Sequence, residues 1–407
     1  MRTKSSPSDV IRRFHRALPA AVFALVFVSD GVGFAAKKKT AIIQVTNLTD
    51  QSRIEEILEL QLTEVKARLG NVDYKKLQVE EATRHIPLPV QLDGSSDGNP
   101  DRLLVLVSLA PHQTKRLSIQ PARQTVSVKP LVFGRVVPER KDDFAWENDK
   151  VAYRVYGPAL EATGEITSGI DVWSKRVPDL IIDQWYARDA EGQRTHNPLL
   201  SYHKDTGQGL DSYDVGPTRG CGGSGVWTDG HLFVSKNYVR ATVLANGPLR
   251  LRFKVEYAPW QVAGAEVTET KVITLDAGSH MNRIDSTLSW KSDDTKSRVA
   301  AAGLATHTGS HVTPSAEEGM LAVWEPLTDS AAGMEGAGIV NEPGKTGRIS
   351  LTGSNALLLN PAANGVPTTY YAGAGWSKAD MPDEAAWIAY LHAFRERLLH
   401  PLTVRWE

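Results

Sequence analysis

Short apolar stretches, each closed by turn-forming side chains, run through nearly the whole chain and leave little room for helices. Segments such as Thr40–Thr46, Arg102–Leu109, Leu117–Gln120, Val151–Tyr156, Tyr238–Val243, Arg250–Tyr257, Glu266–Leu275, Asn282–Trp290 and Gly347–Leu358 read as strands. Asp93-Gly94, Asp97-Gly98, Asn246-Gly247-Pro248 and Ala277-Gly278-Ser279 separate them, and these residues reverse a chain at low steric cost. Strands at this spacing, without intervening helices, predict an all-β fold of antiparallel sandwiches and not βαβ units.

Two stretches depart from this pattern. Ile54–Arg68 fits either an amphipathic helix or an alternating strand. Glu384–Leu399 is predicted as a helix: Trp387, Ile388, Leu391, Phe394 and Leu398 recur at three- and four-residue steps, Pro382-Asp383 precedes it and Pro401 stops it. Composition shifts near 125–140, after which the chain becomes rich in Trp, Tyr, Asp and Arg. A smaller N-terminal β module over 36–135 and a main β-sandwich domain over 136–407 are therefore expected.

Residues 1–35 have the order of a secretory signal peptide. Arg2, Lys4, Arg12, Arg13 and Arg16 precede the apolar run Leu18–Val28, and Gly33-Phe34-Ala35 supplies the small residues before a cut. That run is far shorter than the roughly 20 residues that cross a bilayer. No later stretch is long enough either, so a periplasmic or secreted mature chain without a membrane span is expected. The leader carries five basic and two acidic side chains, so its removal would take the net charge from −1 to −4. An acidic chain has no general attraction for nucleic acid. The single cysteine, Cys221, excludes an intrachain disulfide; its setting between glycines reads as a packed residue and not a nucleophile.

Three segments concentrate aromatic and ionisable side chains. In Lys141–Pro158, period-two alternation places Arg154 and Tyr156 on one face of a strand that Trp146 leads into. In Gly169–Arg176, Asp171, Trp173 and Lys175 share a face; a ring flanked by an acid and an amine suits the C–H face and hydroxyls of a sugar. Ser201–Trp227 holds Tyr202, His203, Tyr213 and Arg219 among seven glycines, which reads as a structured site loop and argues against a long uniform strand. His280, His307 and His311 lie outside these segments.

Several familiar motifs fail. Gly207 and Gly209 stand where a calcium loop needs ligands, and Gly216 where it needs Glu. Val226 replaces the last glycine of a nucleophile elbow, and Ile339 the first glycine of a phosphate loop. No His-x-x-x-His or Cys-x-x-Cys pair suggests zinc. No metal or other cofactor is expected.

Taken together, Asp142–Asp149 with Tyr153–Leu160, Gly169–Arg176, Tyr202–Gly216 and Tyr370–Lys378 resemble the DUF4861 family of unknown function over nearly the whole mature chain. The resemblance implies export, association with polysaccharide-degrading systems and a galactose-mutarotase-like antiparallel super-sandwich. It also implies, for some members, dehydration of uronic-acid-containing oligosaccharides such as those of ulvan.

The expected partner is therefore an acidic oligosaccharide, and the expected chemistry a lyase or dehydratase β-elimination. Such a reaction neutralises the uronate carboxylate, removes the C5 proton and protonates the oxygen leaving C4. Arg154, Lys175 or Arg219 would meet the carboxylate, His203 or Tyr202 would be the base, and Tyr213 or His280 the acid. Trp146, Trp173, Tyr156 and Asp171 would bind the sugar. The alternatives are hydrolysis by a carboxylate pair drawn from Asp142, Asp143, Glu147, Asp149, Asp171 and Asp211, or a carbohydrate-binding protein without turnover. All the enzymatic readings require the segments near 150, 173 and 203 to meet in one pocket.

Overall fold

Antiparallel ladders join almost every strand in the computed structural model, which describes residues 40–94, 99–122, 127–291 and 298–407. The leader expected over 1–35 and the Asp97-Gly98 turn lie outside the described residues. No helix among the described residues is long and apolar enough to cross a membrane.

The first strand, Ala41–Thr46, shows how the sequence selects its partners. Ala41, Ile43 and Val45 alternate inward, and the strand lies between Thr114–Pro121 and the last strand, Thr403–Trp406. Leu77–Glu81 and Ile86–Leu88 complete this five-stranded sheet. It encloses one core with a three-stranded sheet of Arg53–Gln61, Pro100–Leu109 and Val90–Gly94. Leu402, Val404 and Trp406 pack on the same core, so the chain's end closes the module its beginning builds. The segment that fits two readings takes both: Arg53–Gln61 is a strand and Leu62–Leu69 a helix.

Three more sheets share the principal core. An eight-stranded sheet runs, edge to edge, Tyr238–Asn246, Arg250–Val262, Ala265–Asp276, Met281–Trp290, Pro367–Trp376, Met334–Asn341, Met320–Pro326 and His311–Ser315. Leu251, Phe253, Ile273, Ile284, Tyr370 and Ile339 point from it into the core. Against this face lie a sheet of Val132–Val137, Asp143–Asn148, Ala152–Val155, Asp171–Lys175 and Gly209–Asp211, and one built around Cys221–Thr228, Arg298–Ala305 and Asn355–Ala362. The fold is an all-β antiparallel sandwich with a smaller N-terminal module and a C-terminal helix.

That helix, Glu384–Leu399, begins where the Asp383 carboxylate accepts the Ala386 N–H. It packs on the outer face of the large sheet, where Trp387 and Leu391 occupy the space that side chains at Gly336 and Gly338 would fill. Two expectations need correction. Gly347–Leu358 is a hairpin and not one strand, because Gly353, in a left-handed conformation, turns the chain between Arg348–Thr352 and Asn355–Ala362. The glycine-rich Cys221–Thr228 is a buried strand: a Cβ on Gly223 would lie 2.5 Å from the Arg219 carbonyl oxygen, so its glycines permit close backbone approach.

Candidate functional site

The three aromatic and ionisable segments meet on the outer face of the sheet formed by residues 132–211. Antiparallel register sets Arg154 opposite Asp171 and Ala145, and Trp173 opposite Asp211. Arg154 donates Nε and Nη2 to Asp171 Oδ2 at 2.9 and 2.6 Å, and Nη2 to Asp211 Oδ2 at 3.1 Å. Asp143 Oδ2 stands 3.9 Å from Arg154 Nε, while its Oδ1 accepts the Gly157 N–H. Tyr156, Trp173 and Tyr202 surround the guanidinium at 5.3, 5.1 and 5.9 Å.

One guanidinium cannot neutralise three enclosed carboxylates. Burial pushes Asp143 up to about 6 despite Arg154 nearby. Burial also raises Asp171 against the pull of Arg154, and burial together with the charge of Asp171 raises Asp211 well above the usual carboxylate range. Three polar atoms here are buried without a hydrogen-bond partner: Arg154 Nη1, Asp143 Oδ2 and the Tyr186 hydroxyl. The cluster therefore has unused bonding capacity, but it is covered. Helix Ile182–Thr195 lays Trp185 and Tyr186 over it, and Arg154 is only 5% exposed.

The cover ends at Tyr202, Arg140 and His203. Tyr202 stacks on Trp173 with ring centroids 4.7 Å apart, and its hydroxyl accepts Arg140 Nε–H at 3.4 Å. Arg140 keeps a quarter of its side chain in solvent, and the carboxylate it pairs with, Glu165, is 3.9 Å away. His203 Nδ1 lies 2.8 Å from the main-chain oxygen of Asp211. A carbonyl oxygen only accepts, so Nδ1 carries the proton and the neutral ring presents a basic Nε2. The His203 side chain is 58% exposed.

The other expected contacts are enclosed, and each has a structural occupation. Lys175 Nζ bonds Glu147 Oε2 at 2.7 Å and the Asn148 carbonyl at 2.6 Å with nothing exposed, and burial lowers its pKa. Glu147 in turn receives the Ile182 N–H at the start of the covering helix. Arg219 bonds Ser168 and the Ser224 carbonyl in the interior, where burial pushes it down to about 10. Trp146 packs against Tyr153 and Phe253 and donates to Asn282. Trp173 has rings on several sides. Neither tryptophan offers a face to a sugar, nor Lys175 or Arg219 a charge. Asp171 and Tyr156 are likewise closed off, the first by Arg154.

Tyr213 is buried with its hydroxyl unpaired, edge-on to His307. His280 lies beneath the C-terminal helix, between the Ala374 carbonyl at 2.8 Å and Asp380 at 3.0 Å, apart from the Arg154 cluster. Cys221 is buried, donates Sγ–H to the Gly373 carbonyl, and has its thiol pushed up by burial. Arg140 and Tyr186 escape a sequence reading. Arg140 sits in the charged run Pro138–Asp143, which resembles solvated surface until the left-handed residues Lys141 and Asp142 fold it back over Tyr202. Among the described residues, no three His, Cys, Asp or Glu side chains are placed to hold a metal ion.

The model of the domain of unknown function DUF4861 matches residues 45–404, which contain every residue of this site. The chain belongs to the DUF4861 family. It is 31% identical over 405 residues to "Uncharacterized protein P7" of Formosa agariphila, covering 94% of this chain and 98% of that one. Among solved structures it is similar to an alpha-mannosidase of Enterococcus faecalis and to a glycosyl hydrolase family 38 protein of the same species, each with TM-score 0.50 and 11% identity over 91% of this chain. The match spans just under half of those two chains, 46% and 48%, and at this identity it speaks to the shared sandwich fold.

Proposed function

We propose that the protein is an exported carbohydrate-active enzyme that performs β-elimination on oligosaccharides containing uronic acid. The carrying observation is the rim of the buried cluster. There the exposed His203, with its tautomer fixed, and the partly exposed Arg140 flank the phenol of Tyr202, which is itself only 6% exposed. Arg140 pairs with the uronate carboxylate and so acidifies the C5 proton. His203 Nε2 takes that proton, the C5 electron pair forms the C4=C5 bond, and the C4–O bond breaks. Tyr202 accepts from Arg140 Nε, keeps its own proton, and gives it to the leaving oxygen. Solvent then returns the proton from His203 to Tyr202. Arg154 is a positioning residue: it holds Asp211, whose carbonyl orients His203, and lies beneath the Tyr202 ring.

Family membership supports the substrate class, because the resemblance implies uronate dehydration in some members. The test is ultraviolet absorbance of the conjugated unsaturated uronate during incubation with a panel of uronic-acid oligosaccharides. Absorbance growth that disappears in His203→Ala is expected. A flat trace across the panel, or an undiminished rate in His203→Ala, rules the reading out.

A further inference from the structure

A second, open site lies away from this cluster. A cavity of about 650 Å³ separates the strand Arg53–Gln61 of the N-terminal module from the outer face of the large sheet and the end of the C-terminal helix. It continues into a groove of about 560 Å³ along that sheet, the two sharing Arg252, Val272, Arg283 and Asp285. Ligand sites typically measure about 300–1,000 Å³, and the shared wall makes this one elongated.

The cavity wall holds five arginines and five carboxylates, and they are not paired one to one. Most of its carboxylates already have donors. Glu59 and Asp276 accept from Arg250, at 2.7 Å and at 2.6 and 2.7 Å. Asp285 accepts from Arg283 and Thr369, and Glu56 from Arg53. Glu55, the exception, stands at the edge facing Lys150 at 3.7 Å. Three guanidinium groups lie farther from acids, Arg102 facing Glu59 and Asp101 and Arg252 facing Asp93. Arg102 and Arg252 come no closer than 3.5 Å to an acid, and the Nε of each is buried without a hydrogen-bond partner. Arg397 lies over the rings of Tyr390 and Phe394, at 5.4 and 5.5 Å, and lines the cleft without a carboxylate. Tyr371 and Phe394 add ring surface, and Thr274, Thr287 and Thr369 hydroxyls. Arg397, with no carboxylate beside it, and the loosely paired Arg102 and Arg252 leave guanidinium groups that can meet ligand oxyanions. Rings and hydroxyls beside them suit sugar faces.

The geometry points to this cleft as a binding site for an acidic oligosaccharide chain, held through its carboxylate or sulfate groups by Arg102, Arg252 and Arg397. The site rests on the proposed substrate class but not on the proposed chemistry.

Calorimetric titration of the full chain tests it with an oligogalacturonide, a sulfated carrageenan oligosaccharide, neutral maltohexaose and a single-stranded DNA oligonucleotide. Binding of either acidic glycan, weakened by salt, is expected, with neither maltohexaose nor DNA bound comparably. Arg252→Gln with Arg397→Gln should weaken binding by roughly tenfold or more. Arg397→Gln alone, at the helix surface, serves if the double variant unfolds. Equal binding of maltohexaose or DNA, or wild-type affinity in the arginine variants, overturns the site. Arginine-dependent binding with no unsaturated product leaves the site standing and removes the elimination instead.

Discussion

His203 gives its Nδ1 proton to the main-chain oxygen of Asp211 at 2.8 Å, while the Asp211 carboxylate takes Nη2 of Arg154 at 3.1 Å. One residue thereby couples an exposed base to a buried charge cluster. The backbone of Asp211 sets the tautomer of His203, and its side chain is fixed from below.

His203→Ala is expected to lower kcat by about 10²–10⁴-fold, the usual contribution of a positioned base. The side chain is more than half exposed, so the midpoint of thermal unfolding should stay within about 1 °C of wild type, given that surface changes cost about 0.5 kcal/mol or less. Parallel kinetics and calorimetry check both outcomes.

Arg140→Gln removes the partly exposed cation and keeps a donor for Tyr202. A KM rise of roughly tenfold, from losing a charge-assisted hydrogen bond, is expected, with a smaller fall in kcat. Initial rates across substrate concentration decide it; an unchanged KM would take Arg140 out of the substrate contact.

Arg154→Leu leaves Asp143, Asp171 and Asp211 enclosed without their counter-charge. Breaking a buried ionic network in this way costs about 3–5 kcal/mol. Arg154→Lys should recover little, because an ammonium cannot present both Nε and Nη2 to the two acids. Denaturant titration of both variants provides the check.

The buried Glu335 stands directly across from Glu325 on the neighbouring strand and takes a hydrogen bond from Ser174 at 2.5 Å. Burial, with the Glu325 charge adding, pushes it up to about 8. The folded chain thus holds this proton more tightly than the unfolded one. Its stabilising contribution is complete below the ordinary glutamate range and is lost as pH rises to about 8, by at most about 1.4 kcal/mol per pH unit. Glu335→Gln, permanently neutral, should flatten that part of the stability–pH curve, as urea midpoints at a series of pH values will reveal.

Much of the fold was legible in the sequence because strand alternation and turn chemistry are local. Glu384–Leu399 was legible too, since its apolar spacing, its Asp383 cap and Pro401 all agree. Ile182–Thr195 was not, because it buries only Ile182, Trp185, Tyr186 and Gly192 and leaves a mostly polar run with no sustained period. At the site, alternation correctly grouped Arg154 with Tyr156, and Asp171 with Trp173 and Lys175. It could not say that a helix from elsewhere would cover that face, nor that Glu147 would occupy Lys175. Burial depends on what packs above a strand, and period two within the strand carries no record of it. Arg140 was missed for the converse reason: its place beside Tyr202 comes from two left-handed residues that a charged run does not announce.

Mass spectrometry of the products from one uronic-acid oligosaccharide, treated with wild type and with His203→Ala, separates elimination at His203 from every other outcome. Elimination predicts wild-type products that either lack one water or arise by cleavage without water being added, and no change with His203→Ala. Fragments that have gained water, or the same products from both proteins, would contradict it.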